Sequence, residues 1–214
     1  MRKFLICVLV VVVAASSLSC GMSNTQKGAI GGVIGHQSGN TAVGAIIGAA
    51  VGGAAGAWIG NYMDKQAAEI QRDLEGATVT RVGEGIKITF DSGLLFDTNK
   101  SVLKSASKEN LTKLAVILNK YPDTEILLEG HTDSEGTEEH NMDLSQRRAN
   151  SVAAFMSTKQ VNETRFTTMA YGETQPVASN ESSAGKSQNR RVEVAIYAND
   201  KLKKEAEKKV EAGG

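Results

Sequence analysis

The chain has 214 residues and carries 24 Lys and Arg against 24 Asp and Glu, a formal net charge of +0 at neutral pH. That balance, with no basic groove and no aromatic stacking series, argues against a nucleic-acid partner. Its two cysteines, Cys7 and Cys20, both fall in the first twenty residues, which excludes a disulfide scaffold or a cysteine–zinc site from the rest of the chain.

Residues 1–19 read as an export signal. Arg2 and Lys3 make a basic start, residues 4–15 are apolar, and small residues lead to Cys20. A cysteine in this place resembles a bacterial lipobox. The usual leucine three residues before the cysteine is Ser17 here, with Leu18 one place late. The resemblance implies that Cys20 is lipidated on sulfur and becomes the new N-terminus, and that residues 20–27 form a short lipidated linker. Cleavage would remove Arg2 and Lys3 and no acid.

Residues 28–60 form a second zone with 11 of the 22 glycines and no charged side chain. Gly44, Gly48, Gly52, Gly56 and Gly60 recur every fourth residue, as do Gly31, Gly35 and Gly39. On a helix this gives one smooth face that a second helix can approach closely. Glycine costs about 1 kcal/mol against alanine in a water-exposed helix, so the pattern fits lipid, where an unpaired backbone costs more. Residues 41–60 are long enough to span a bilayer. A close-packed glycine-zipper hairpin in or on a membrane is therefore expected. A flexible glycine-rich linker is the other reading. The interleaved Val43, Ile46, Ile47, Val51, Trp58 and Ile59 favour the first.

Residues 61–76 read as a helical linker and residues 77–198 as the folded domain. Ile86, Ile88 and Phe90 alternate with polar residues and pair with residues 78–82 as a hairpin around Gly83 and Gly85. Residues 107–120 are an amphipathic helix that Pro122 ends. Residues 125–132 are a strand, 141–158 a long helix, and 165–171 and 191–197 two more strands. The order strand, helix, strand, helix, strand, strand suggests parallel pairing across the helices and an α/β two-layer sandwich. Residues 199–214 are a charged Lys/Glu tail, helical and solvated or disordered.

Arg148 breaks the pattern of the long helix. At about 100° per residue, with Leu144 at zero, Phe155 falls near 20°, Val152 near 80° and Met156 near 120°, and Arg148 falls near 40°, inside that apolar stripe. An unpaired buried charge is expensive. Arg148 should therefore face a carboxylate of its own chain or an anionic ligand group.

Phe96-Asp97, Leu103, GHTD (130–133), Gly136, Asn141, LSQRRA (144–149), Gly172, Pro176, Asn180 and NRRVE (189–193) resemble the OmpA-like domain. This is the peptidoglycan-binding module of OmpA-type porins, peptidoglycan-associated lipoproteins and flagellar stator proteins. Lipid cysteine, glycine zipper and this domain in succession resemble OmpA-family outer-membrane lipoproteins. The resemblance implies an OmpA-like sandwich that binds the diaminopimelate of the wall's stem peptide, whose end carries an ammonium and a carboxylate on one carbon. It implies that Asp133 meets the ammonium and Arg148 the carboxylate, whose two oxygens suit the planar guanidinium fork. Asn99 and Asn141 match pocket-lining positions, and Thr132 a backbone or hydroxyl contact. Asn141 is expected to open the long helix, where free N–H groups favour an anion. Asp97 is either a contact or a loop cap. Asp133 and Arg148 could instead form an internal salt bridge, and Arg190 and Arg191 could simply open the last strand and brace loops.

No activated serine, thiol or metal set is apparent, so neither an enzyme nor a cofactor or metal is expected. The stretch 41–60 lacks the intramembrane Asp a stator would need. The expected partners are peptidoglycan, a membrane through lipid and zipper, and a homo-oligomer if the glycine faces pair. The expected location is the outer membrane with the domain in the periplasm, or the inner membrane if 41–60 spans. In a rival reading the zipper is the working part, a membrane-inserted oligomer or outer-membrane assembly factor, and the wall domain only an anchor.

Overall fold

The computed structural model describes residues 41–213; the export signal, Cys20 and the first part of the glycine zone lie outside them. Two helices come first, α1 (Thr41–Ala49) and α2 (Gly53–Asp73). The hairpin β1 (Ala77–Val82) and β2 (Gly85–Asp91) follows, then the short α3 (Ser92–Leu95), α4 (Ser105–Lys120) and β3 (Thr124–His131). The chain continues through α5 (Glu138–Thr158), β4 (Phe166–Gly172), α6 (Ser183–Asn189), β5 (Arg191–Ala198) and α7 (Asp200–Gly213).

The sheet order is β1-β2-β5-β3-β4. β3 and β4 run parallel, joined by α5, as the strand–helix–strand reading expects. The pairing of β2 with β3 does not follow. β5 lies between them, antiparallel to both. The last strand is the most apolar of the set, so the centre of the sheet is where its two-sided burial is satisfied.

Alternation divides the sheet. Ile86, Ile88, Phe90, Ile126, Leu128, Val192, Val194 and Ile196 point to the inner face and form one core with α2, α4, α5 and α7. From α2 this core takes Ile59, Met63, Ala67 and Ile70, so residues read as a linker are an integral layer of the domain. Leu202 and Ala206 of α7 are buried in the same core. The tail is therefore a packed helix rather than a solvated one.

The glycine zone differs from a single span. α1 and α2 are separated at Gly52 and Gly53, both at positive φ (75° and 61°). No described helix is long and apolar enough to cross a membrane. α1 lies instead on the outer face of the sheet, with Ala42 and Ile46 packed on Leu127 and Ala195.

Gly130 sets the distance between β3 and α5. A Cβ there would run into the Ser145 backbone carbonyl, so only glycine lets the helix lie this close. Gly130→Ala should lower stability by about 2 kcal/mol or more, since the clash is with backbone and not with a movable side chain. A thermal melt of the variant checks this; an unchanged transition would remove Gly130 as the spacing constraint.

Candidate functional site

At one end of the sheet, four segments meet around a cleft of about 600 Å³. They are the residues just after β3, the first three turns of α5, the loop after α3, and Arg190 at the start of β5. Asp97, Asn99, Thr132, Asp133, Asn141 and Arg148 all line it. The structure thus gathers the six residues singled out from the sequence into one place.

Local chemistry explains each position. β3 ends after a register irregularity at Gly130/His131, and the Thr132 N–H then donates to the Gly172 carbonyl at 2.8 Å. Asp133 turns the chain, its Oδ1 accepting the Glu135 N–H at 3.1 Å. Gly136, at φ 107°, completes the turn into Thr137, whose hydroxyl caps α5 by accepting the His140 N–H at 3.2 Å. The helix therefore begins at Glu138, three residues earlier than expected. The Asn141 N–H is already spent on the Thr137 carbonyl at 2.9 Å, so it is not a free helix-end donor. What Asn141 does instead is hold the cleft wall. Its Nδ2 donates to the Asp133 carbonyl at 3.2 Å and to Glu173 Oε2 at 2.6 Å.

The loop on the other side is pinned by a bridge between Phe96 and Leu103. Asn99 sits at φ 57°, a left-handed conformation that asparagine tolerates better than most side chains. Its Oδ1 lies 2.8 Å from His140 Nε2 across the cleft. Asp97 is exposed and stands 3.8 and 3.7 Å from the ammonium groups of Lys100 and Lys104, so it serves the loop's own charge balance.

Arg148 is 4% exposed. Its Nε donates to the Lys100 carbonyl at 3.0 Å, and its guanidinium stacks over the Phe96 ring at 5.3 Å. It makes no ion pair among the described residues, and the internal Asp133–Arg148 bridge is not formed. Burial and then the neighbouring Arg190 guanidinium push the Arg148 group below its ordinary value, with Asp133 opposing.

Asp133, 4% exposed, pairs with Arg190, whose Nη1 donates to Oδ2 at 2.5 Å. Sequence reasoning treated Arg190 and Arg191 alike. The structure separates them. Arg191 braces the fold, with Nε on Glu193 at 2.6 Å and Nη2 on the Gln175 carbonyl at 3.2 Å. Arg190 belongs to the cleft. The alternation of a strand could have told them apart, because adjacent residues at a strand start face opposite ways. His140 and Ser92 also line the cleft and were passed over. The hydroxyls of Ser92 and Thr132 are buried without a hydrogen-bond partner, which leaves two polar groups able to bond a ligand.

The cleft thus sets one buried carboxylate beside two guanidiniums, one of them without an anion. Such an arrangement is chemically able to bond a carboxylate and an ammonium side by side.

The OmpA family pattern matches residues 95–190, and a glycine zipper pattern matches residues 28–67. The chain is 40% identical over 140 residues to a probable lipoprotein, YiaD, of Escherichia coli, covering 64% of each chain. It is 34% identical over 116 residues to a peptidoglycan-associated lipoprotein of Brucella melitensis, covering 54% of this chain and 69% of that one. Among solved structures, the cell wall anchor of the T6SS from Pseudomonas aeruginosa superposes with a TM-score of 0.56 at 27% identity, over 64% of this chain and 97% of that one. The fold is that of an OmpA-like domain, and the chain belongs to the OmpA family. It spans about two thirds of the Escherichia coli relative's length and about a third of the length of the porins it matches.

Two of the ion pairs at the cleft should differ in strength. Removing Arg190 (Arg190→Gln) leaves Asp133 buried without its cation and should cost about 1–3 kcal/mol. Removing Lys186, whose pair with Glu135 at 2.7 Å is exposed on the carboxylate side, should cost less than about 1 kcal/mol. Urea denaturation of both variants distinguishes them, and equal losses would contradict the assignment.

Proposed function

We propose that this chain is a lipid-anchored protein of the bacterial envelope that holds peptidoglycan without covalent chemistry. The observation that carries the reading is the convergence in one cleft of the buried Asp133 carboxylate, paired with Arg190, and the Arg148 guanidinium, which makes no ion pair among the described residues. The names of its relatives, a peptidoglycan-associated lipoprotein and a cell wall anchor, support it.

In this reading the ligand is the diaminopimelate side chain of the stem peptide. Its carboxylate meets Arg148 and its ammonium meets Asp133. Arg190 swings from Asp133 toward the same carboxylate, so the cleft keeps its charges matched. Asn141 and Asn99 hold the two walls, and Thr132 supplies a hydroxyl. Cys20 carries the lipid, and the domain faces the periplasm from the outer membrane. Binding at each cleft is weak, and many anchored copies act together through effective concentration. No step of this work requires catalysis. The glycine zipper pattern over residues 28–67 supports a second role, assembly of copies at the membrane, that is compatible with the first.

A pulldown on purified sacculi tests the binding. The protein should be the mature chain with Cys20→Ser. A piece begun at residue 75 would lose the buried face of α2 and the core it completes. Arg148→Ala and Asp133→Ala should each weaken binding about 10- to 100-fold, the worth of a charge-assisted hydrogen bond. Arg148→Lys should not restore it, because a point charge lacks the fork. Full binding by folded Arg148→Ala would sink the proposal.

A further inference from the structure

The outer face of the sheet is built for water, yet α1 covers it. β3 and β5 place Glu129 directly opposite Glu193, and Lys87, Arg191 and His131 complete the patch. Like charges opposite one another are tolerable in water and costly when buried. Both cations serve Glu193: Lys87 Nζ lies 3.4 Å away and Arg191 Nε 2.6 Å. Glu129 Oε2 is left with the Ala42 N–H at the start of α1, at 3.2 Å, and with His131 Nε2 at 3.8 Å. Glu129 Oε1, both His131 ring nitrogens and Gln175 Oε1 are buried without a hydrogen-bond partner. Each would gain water if the cover left.

What holds α1 down is modest: besides the Ala42–Glu129 contact, the Thr41 hydroxyl accepts from Gln175 Nε2 at 3.3 Å and bonds the Tyr171 phenol. Only Ala42 and Ile46 of this nine-residue helix bury apolar side chains fully, in a small cluster separate from the main core. A helix this short is marginal on its own in water. Its far side exposes Ile47, and Val51 follows just beyond its end. Behind it lies a turn at Gly52 and Gly53, with open space around both and positive φ at both. The turn is fastened by one side chain, Glu84, which accepts the Val51 and Gly52 N–H groups at 2.8 and 2.7 Å.

We propose that α1 is a strap that exchanges between this charged sheet face and a lipid surface, turning about Gly52–Gly53. The proposal rests on the membrane-anchored reading above. Cys20 lies 21 residues before Thr41, at most about 75 Å of chain, so an anchored strap is never far from lipid. On the sheet, the strap leaves Ile47 and Val51 in water and Glu129 in a dry site; in lipid, both are relieved. α2 stays in the core throughout, held by Ile59, Met63 and Ile70.

The exchange should depend on pH. Burial, then the Glu193 charge, raises the Glu129 carboxyl to about 8 when the strap is down; the Ala42 N–H, Arg191 and Lys87 oppose. From β4, Tyr171 also faces it, and its own phenol is raised chiefly by burial. With the strap off, Glu129 returns toward its ordinary 4.5. A raised closed-state value favours closure at low pH, and that preference is lost as pH rises through about 8. His131 acts oppositely. It is lowered to about 3 by burial and then by Arg191, so its preference for closure is full above 6.5 and fades only as pH falls below that. Between pH 6.5 and 8 Glu129 therefore governs release.

The test uses the mature lipidated chain with Ile47→Cys in vesicles of phosphatidylethanolamine and phosphatidylglycerol. Cys20 is then a thioether, and position 47 carries the one free thiol for an environment-sensitive fluorophore. The emission should report lipid, with the lipid-bound fraction's equilibrium constant rising by up to about tenfold per pH unit from 6.5 to 8. Glu129→Gln should flatten that rise, and hydrogen exchange should show the sheet still protected. A label that stays in water at every pH, or that enters lipid only when sheet protection is lost, overturns the strap. Labelling of Cys20 itself, seen by mass spectrometry, would mean that the anchored reading has failed first.

Discussion

The site depends on keeping a guanidinium charged and dry inside the seam between α5 and the sheet. Arg148 stands in the stripe where α5 would otherwise bury a leucine, and desolvation alone would make that position costly. Three arrangements make it tolerable. The Lys100 carbonyl takes its Nε, the Phe96 ring covers its face, and the cleft beside it is open to ligand. The loop after α3 exists in its pinned form to supply the first two. The bridge between Phe96 and Leu103 and the left-handed Asn99 both follow from that need.

The second cation completes the logic. Asp133 is buried as deeply as Arg148, and the two do not neutralise one another. Arg190 occupies Asp133 instead, which leaves Arg148 in the same cleft without an ion pair among the described residues. In the proposed reading, an Asp133–Arg148 bridge would compete with the ligand for both charges, whereas the Asp133–Arg190 pair leaves the Arg148 guanidinium available.

How much of this was readable in the sequence depended on whether a signal was local. Helical periodicity alone placed Arg148 in the core stripe, and the motif placed Asp133 beside it. The hairpin was fixed by alternation and its two glycines. Two features were out of reach because they are decided by distant partners. The insertion of β5 between β2 and β3 depends on which strand best satisfies two buried neighbours. The seating of α2 against the main core makes a structural layer of residues that read as linker. The position of α1 was hidden for a different reason: a run of glycine, alanine and isoleucine suits lipid and a shallow sheet patch equally, and nothing local chooses. Arg190 could have been found, since neighbours at a strand start must point to opposite faces.

The most direct test observes the Arg148 Nε–Hε group itself by 15N NMR while free diaminopimelate is added. Its resonance is distinct because the proton is bonded to the Lys100 carbonyl. The account predicts a saturable shift with diaminopimelate and none with cadaverine, which keeps both amines but carries no carboxylate beside either. A resonance unmoved by diaminopimelate at saturating concentration would contradict the claim that this cleft reads a carboxylate beside an ammonium.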